Sequence, residues 1–205
     1  MISIRMIILV FIFTLTPIIT FAAECQTIFN KLDKQYYAIT DQNRIKKLTQ
    51  LENDLFKAIE QCKTYSGMFV LMGEVQIDMG QIPLAVVYGQ KAVGLDEEYW
   101  RAHKLLGSSL MLNSKAESGL KSLMKAVALQ PENINSQLNL ASALIQNKKY
   151  DDALKLINNI IHKNEKGTLA TAYYLRSQAY SGKGLIIEAD KDFKTARRMG
   201  FVVPQ

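Results

Sequence analysis

Apolar residues recur every three or four positions along most of the chain, and short polar or glycine-containing turns separate the apolar runs. This spacing puts the apolar side chains on one face of a helix, so the pattern predicts amphipathic helices joined by turns. The pattern also repeats. Within residues 67–131, Gly73 is followed by Gly107 and Ala92 by Ala126, each 34 residues later. A fixed period of this length is typical of stacked helical repeats. The sequence therefore predicts an all-α stack of antiparallel helix hairpins.

Two further repeats follow the best-preserved stretch. The third keeps the 34-residue spacing, with Ala141 after Gly107 and Ala153 after Gly119. The fourth is displaced by two residues, since Ser177 and Ala189 come 36 residues after their counterparts, and the extra residues fall around 163–168. Lengthening a loop costs little free energy, because the entropy of loop closure grows slowly with length. The array is therefore expected to contain four units.

The residue pairs that mark these units resemble the tetratricopeptide repeat family. The pairs at equivalent places on the first helices are Met72-Gly73, Leu106-Gly107 and Leu140-Ala141. The resemblance covers about residues 66–201. Departures are Gln76 and Leu110, where the family usually has tyrosine, and Gly119, where it has alanine. The resemblance implies a right-handed superhelical stack, an α-solenoid, with repeats at about 66–99, 100–133, 134–169 and 170–203.

The N-terminus has the composition of a secretory signal peptide. Arg5 precedes an apolar run over residues 6–19, and small residues then lead to Ala23. This order predicts a signal peptide at 1–22 that is cleaved after Ala22. The alternative is an uncleaved membrane anchor, because the apolar run is about long enough to span a bilayer. Cleavage would leave a chain with no stable membrane insertion.

Cys25 and Cys62 are the only cysteines in the sequence. Helical periodicity predicts two antiparallel helices between them, and the ends of such a hairpin lie close together. In an exported protein an even number of cysteines favours a disulfide. The alternatives are two buried free thiols or a redox pair, although no Cys-x-x-Cys motif supports the latter. We interpret residues 23–65 as a capping helix hairpin before the repeat array of residues 66–205.

Composition argues against several other functions. The formal net charge is +6, and it becomes about +5 without Arg5. No run of basic residues is interleaved with aromatics, so nucleic-acid binding is not expected. His103 and His162 have no His or Cys at metal-ligand spacing. The sequence suggests no catalytic set, metal site or cofactor, and we expect a non-enzymatic protein.

The resemblance implies that inward-facing residues of the first helices form a concave groove for a peptide or helix of another protein. The residues at these positions are Val70, Glu74, Asp78, Arg101, Lys104, Ser108, Met111, Asn135, Leu138, Ser142, Tyr174 and Gln178. The groove is expected to have an acidic end at Glu74 and Asp78 and a basic step at Arg101 and Lys104.

The expected function is that of an exported scaffold that binds an envelope or secreted protein. One alternative is a periplasmic chaperone or assembly factor for a secretion or pilus system, and another is an exported effector that binds a host protein. The resemblance favours the bacterial periplasm as the compartment. The alternatives are secretion or retention by an uncleaved N-terminal helix.

Overall fold

The computed structural model describes the backbone of residues 4–40, 43–163 and 170–202, and the side chains of these residues from 21 onward. Over these residues the fold is all-α, which confirms the predicted class and its hairpins of the tetratricopeptide repeat type. The helices are α1 (Ile4–Tyr37), α2 (Arg44–Gln61), α3 (Ser66–Asp78), α4 (Ile82–Leu95), α5 (Trp100–Leu112), α6 (Ala116–Leu129), α7 (Ile134–Gln146), α8 (Tyr150–Lys163), α9 (Ala170–Gly182) and α10 (Ile186–Arg198).

The contacts divide the chain into two compact units, 1–95 and 96–205. The first contains α1 to α4 and the second contains α5 to α10. The predicted division into a cap at 23–65 and an array at 66–205 stays a prediction. The longer connection predicted around residues 163–168 lies outside the described residues, apart from Lys163 at the end of α8.

In the first unit, the core lies between α1, α2 and α3. Leu48 and Leu55 of α2 pack with Met68 and Leu71 of α3, and all four are fully buried. Burying a leucine or methionine side chain stabilises the fold by about 1.5–3 kcal/mol. Helix α4 packs along α3, and the Ser66 hydroxyl donates a hydrogen bond of 2.9 Å to the carbonyl oxygen of Ala92.

The predicted disulfide between Cys25 and Cys62 is present, with 5.7 Å between the two Cα atoms. Cys62 lies at the C-terminal end of α2, as the hairpin pattern predicts. Cys25, by contrast, lies inside α1 and not at its start, because α1 begins at Ile4. The proposed turn residues Asp41 and Gln42 lie outside the described residues, and so do the side chains of the apolar N-terminal run. Among the residues that the structure describes, no helix is long and apolar enough to cross a membrane.

In the second unit, the first helices α7 and α9 each pack against both helices of the hairpin before them. Helix α7 contacts α5 and α6, and α9 contacts α7 and α8. The apolar core follows the same path, from Leu123 of α6 through Ile157 of α8 to Leu175 of α9. We call the surface that a hairpin offers to the next first helix its seat. The first unit follows the same rule, since α3 contacts both α1 and α2.

Candidate protein-binding surface

Three successive first helices, α5, α7 and α9, lie side by side in the second unit, because α7 contacts both α5 and α9. Their side chains that point away from the second helices form one surface, which we call the concave face. Asn139 of α7 donates a hydrogen bond of 3.1 Å to the Ser108 hydroxyl of α5 across this surface. Two adjacent helices therefore hold their polar side chains in a fixed relation on this face.

Most of the predicted groove residues of the second unit are accessible on this surface. Those that are partly or fully exposed are Arg101, Lys104, Ser108, Asn135, Ser142, Tyr174 and Gln178. Met111 is partly exposed, but its side chain points toward the second helix α6, because its Sδ atom would lie 2.7 Å from a Cβ on Gly119. Leu138 is the buried exception. It is only 9% exposed and belongs to the core formed by α6 to α9. Its assignment to the groove was wrong, because α9 covers this side of α7.

The start of α5 combines cations with an aromatic ring. Lys104 Nζ lies 5.8 Å from the centre of the Trp100 ring, which is within the range of a cation–π contact. Arg101 is the next residue after Trp100 and is partly exposed. This is the basic step that the sequence predicts. Trp100 was not among the predicted groove residues, although tryptophan is enriched where proteins bind other proteins.

The groove residues predicted in the first unit do not form an open acidic end. Val70 is completely buried and Glu74 is only 8% exposed. Asp78 accepts a hydrogen bond of 2.9 Å from the Tyr36 hydroxyl of α1 and also pairs with Arg44 of α2. The prediction was wrong here because α1 lies against α3 and covers this face. Burial and then the negative charge of Asp78 raise the pKa of Tyr36 above its usual value.

A cleft of about 550 Å³ lies at the last hairpin of the second unit. It runs along α9 from Tyr174 to Gly182, and Ile186 and Phe193 of α10 form its other side. Phe201, just after α10, stacks on the Tyr174 ring with 4.2 Å between the ring centres. Gln178 donates a hydrogen bond of 3.0 Å to the Tyr174 hydroxyl. Two predicted groove residues therefore line this cleft.

A buried ion pair joins the two helices of the last hairpin. Arg176 of α9 donates hydrogen bonds of 2.6 and 3.0 Å to the two carboxylate oxygens of Asp192 in α10. It donates a third, of 2.8 Å, to Asn158 of α8. Asp192 is almost completely buried. Such bidentate pairs set the geometry of the groups they join, so Arg176 holds α8, α9 and α10 together.

The described part of the chain contains no group of three or more His, Cys, Asp or Glu side chains placed to hold a metal ion. The ring Nε2 of His103 lies 2.9 Å from the carbonyl oxygen of Glu97, and His162 is exposed at the end of α8. Both histidines therefore have ordinary structural surroundings.

A stack of helix hairpins with an accessible inner face defines the class of helical repeat proteins. Within this class, a sequence model of the tetratricopeptide repeat family matches residues 110–178. Those residues belong to the tetratricopeptide repeat family, and the chain has the fold of that family. No curated protein sequence matches the chain.

Solved structures show the same fold at low sequence identity. A crystal structure of MamA is 22% identical, with a TM-score of 0.63, over 78% of this chain and 95% of MamA. YrrB, described as a TPR protein with an unusual peptide-binding site, is 18% identical, with a TM-score of 0.62, over 76% of this chain and 79% of YrrB. PilF of Pseudomonas aeruginosa is 16% identical, with a TM-score of 0.70, over 88% of this chain and 80% of PilF.

Proposed function

We propose that this chain is a non-enzymatic scaffold that binds a peptide or helical segment of another protein on the concave face of α5, α7 and α9. The observation that carries the proposal is the row of accessible polar and cationic side chains on adjacent first helices, from Arg101 and Lys104 through Ser142 to Gln178. The description of YrrB as a peptide-binding TPR protein supports the same mode of binding.

Basic side chains at one end of the concave face indicate the charge of the bound segment. Arg101 and Lys104 lie one helical turn apart on α5. An extended or helical segment with acidic residues at this end would complement their charge, which raises the association rate and selects among partners. The paired Ser108 and Asn139 offer polar groups farther along the face, where they can bond the backbone of the segment.

Charge reversal of Lys104 tests this function. Lys104→Glu should weaken capture of a discrete partner from an envelope extract about five- to tenfold, which corresponds to about 1–1.4 kcal/mol. Capture should also weaken as salt is raised, since exposed charges are screened. The matched control is Lys155→Glu, because Lys155 is exposed on the second helix α8. Capture that survives Lys104→Glu but fails with Lys155→Glu would place the partner on the opposite face.

The chaperone alternative predicts a different result in the same experiments. A chaperone should suppress the aggregation of an unfolded model client without selecting one partner, whereas a scaffold should retain a discrete protein and leave aggregation unchanged. An effector would instead be recovered outside the producing cell. These measurements separate the three functions because each function predicts a different positive result.

We also propose that the protein is exported and that its mature form begins at Ala23. The apolar run at residues 6–19 followed by Ala22 and Ala23 supports export. The disulfide between Cys25 and Cys62 supports an oxidising compartment. N-terminal sequencing of the purified protein tests the proposal, and a chain that still begins at residue 1 would contradict it.

A further inference from the structure

The last hairpin, α9 and α10, offers a seat of the same design as those that hold helices elsewhere in the second unit. The residues of this terminal seat include Tyr174, Ile186, Ala189 and Phe193. Their counterparts 36 residues earlier are Leu138, Tyr150, Ala153 and Ile157. In that earlier seat Leu138, Ala153 and Ile157 are buried in one apolar core with the residues of α9.

The terminal seat is open over most of its length. Ile186 is 64% exposed, and the cleft of about 550 Å³ runs along α9 and α10, with Ile145 and Tyr150 of the preceding hairpin also in its lining. Among the described residues that follow α10, Phe201 covers only the Tyr174 end, where the two rings stack. An accessible groove with an apolar floor of this kind indicates a binding surface.

Helix α9 shows what such a seat accepts. It meets the preceding hairpin through Ala172, Leu175 and Ala179, which are all buried. Their spacing of three and then four residues puts a small, a large and a small side chain on one stripe of a helix. Small residues allow close approach, and the large one fills the gap between the two helices of the seat. The occupant is therefore an amphipathic helix of three to four turns with a similar stripe.

The terminal seat differs from the earlier one in its charge. Lys194 stands 36 residues after Asn158, and Arg197 stands 36 after Ile161, so two cations replace an amide and an apolar side chain. With Lys191 and Arg198 they line an adjacent cleft of about 570 Å³. Two carboxylates also lie here: Glu188 is exposed on α10, and Asp190 lines both clefts and pairs with Lys194 at 2.7 Å. The four cations outnumber them.

The correspondence between the two seats also predicts where the bound helix should carry its charge. In the earlier seat Arg176 of α9 donates a hydrogen bond to Asn158. A helix docked in the same way on the terminal seat would bring its equivalent residue to Lys194. A carboxylate at that place would form an ion pair, whereas another cation would be repelled.

We propose that the terminal seat binds an amphipathic helix of a partner protein, one with a small–large–small apolar stripe and acidic residues along its flank. The cleft shares Tyr174 and Gln178 with the concave face, but its contacts Ile186, Ala189 and Phe193 lie on α10, away from the basic step at Arg101 and Lys104, so the two sites are tested separately.

A braced peptide copied from α9 provides the probe. It has the sequence of Ala170–Gly182 with Tyr173→Glu and Arg176→Glu, and a covalent link replaces the side chains at the positions of Tyr174 and Gln178. The link is needed because a helix of this length is marginal in water. The control peptide carries lysine at the same two places. Fluorescence anisotropy with the mature chain should show the glutamate peptide binding at least tenfold more tightly than the lysine peptide.

Two neighbouring isoleucines supply the matched protein variants. Ile186→Asp should weaken binding of the glutamate peptide at least tenfold, because Ile186 lines the cleft. Ile187→Asp should leave binding unchanged, since Ile187 is 84% exposed and lies outside the cleft. Both side chains are exposed, so both variants should fold, which circular dichroism checks. Lys194→Glu should reverse the preference between the two peptides, and Lys104→Glu should leave it unchanged.

Several results would overturn the proposal. Equal binding of the two peptides would show that the seat does not select a helix with acidic residues. Equal loss with both isoleucine variants would show that the cleft is not the contact. Self-association in sedimentation that disappears with Ile186→Asp would assign the seat to a second copy of the chain. Binding to phosphatidylglycerol vesicles that both isoleucine variants abolish would assign α10 to a membrane surface.

Discussion

Two glycines face each other where α5 and α6 come closest. A Cβ atom on Gly119 would lie 2.9 Å from the carbonyl oxygen of Gly107, and one on Gly107 would lie 3.0 Å from that of Gly119. Such distances to backbone atoms leave no room for a methyl group. Gly119, which departs from the usual alanine of the family, is therefore matched to Gly107 on the facing helix. The two residues together set the distance between the helices.

Alanine at Gly119 should destabilise the protein. The added methyl group would force α5 and α6 apart, and overpacking of this kind costs about 1–3 kcal/mol. Chemical denaturation should therefore show a lower midpoint for Gly119→Ala. Gly94→Ala is the matched control, since Gly94 also lies in a helix but nothing lies within 4 Å of its added Cβ. That change should raise stability by up to about 1 kcal/mol, because alanine is the better helix former.

At the scale of the helices, Tyr36 links α1 to α3 through its hydrogen bond to Asp78. Arg44 at the start of α2 pairs with the same carboxylate. One carboxylate therefore joins three helices near the connection between α1 and α2, at the opposite end of this hairpin from the disulfide. This contact replaces the acidic groove end that the sequence predicted, because the residues that the periodicity placed on an inner face are covered by the preceding hairpin.

The raised pKa of Tyr36 makes this link sensitive to alkali. A group whose pKa is higher in the folded state stabilises the fold below its unfolded pKa, which is about 10 for tyrosine, and this contribution is lost as pH rises further. Tyr36→Phe lacks the hydrogen bond and should be about 1 kcal/mol less stable at pH 8. The difference should shrink above pH 10, as measured by denaturation at each pH.

The pH dependence of Tyr36→Phe is read against that of the native protein. Tyr37 is kept in both, because its ring lies edge-on to that of Tyr36 with 5.1 Å between the ring centres. A gap between the native protein and Tyr36→Phe that stays constant up to pH 11 would show that the Tyr36 hydroxyl does not ionise against Asp78.

The sequence pattern was sufficient to predict the helices, but it did not show which neighbouring helices cover their faces. Periodicity and the 34-residue spacing predicted the hairpins, and the cysteine positions predicted the disulfide. Val70, Glu74 and Leu138 were misplaced, because a helical pattern identifies a face without showing which neighbour packs on it. The links of Ser108 to Asn139 and of Arg176 to Asp192 also went unnoticed. They join different helices, and their members have no fixed separation in sequence.

At the scale of the whole molecule, the disulfide stabilises one unit and is absent from the other. It closes a loop with a sequence separation of 37, for which the chain-entropy estimate is about 4 kcal/mol. Stacked hairpins contact mainly their neighbours, so the effect of a bridge is local. The first unit is therefore expected to depend on the redox state of its surroundings.

Hydrogen exchange can test this dependence. Changing both cysteines to serine, Cys25→Ser with Cys62→Ser, should speed amide exchange in α1 to α3 by up to about a thousandfold, since exchange reports the free energy of local opening. Amides of α7 and α8 provide the internal control and should exchange at unchanged rates. Equal acceleration in both units would show that the chain opens as a single cooperative body.

The seats formed by successive hairpins also bear on how a chain of this kind can lengthen. A hairpin that lands on one seat presents another of the same shape, so copying a segment of DNA that encodes two helices inserts a structural module without redesigning its neighbours. A seat accepts another copy only where its charges suit the copied helix. The seat on α10 does not, because Arg176 of a duplicated α9 would be brought against Lys194. The cations that are unsuited to a copy of α9, Lys194 and Arg197, suit a helix of opposite charge encoded by another gene.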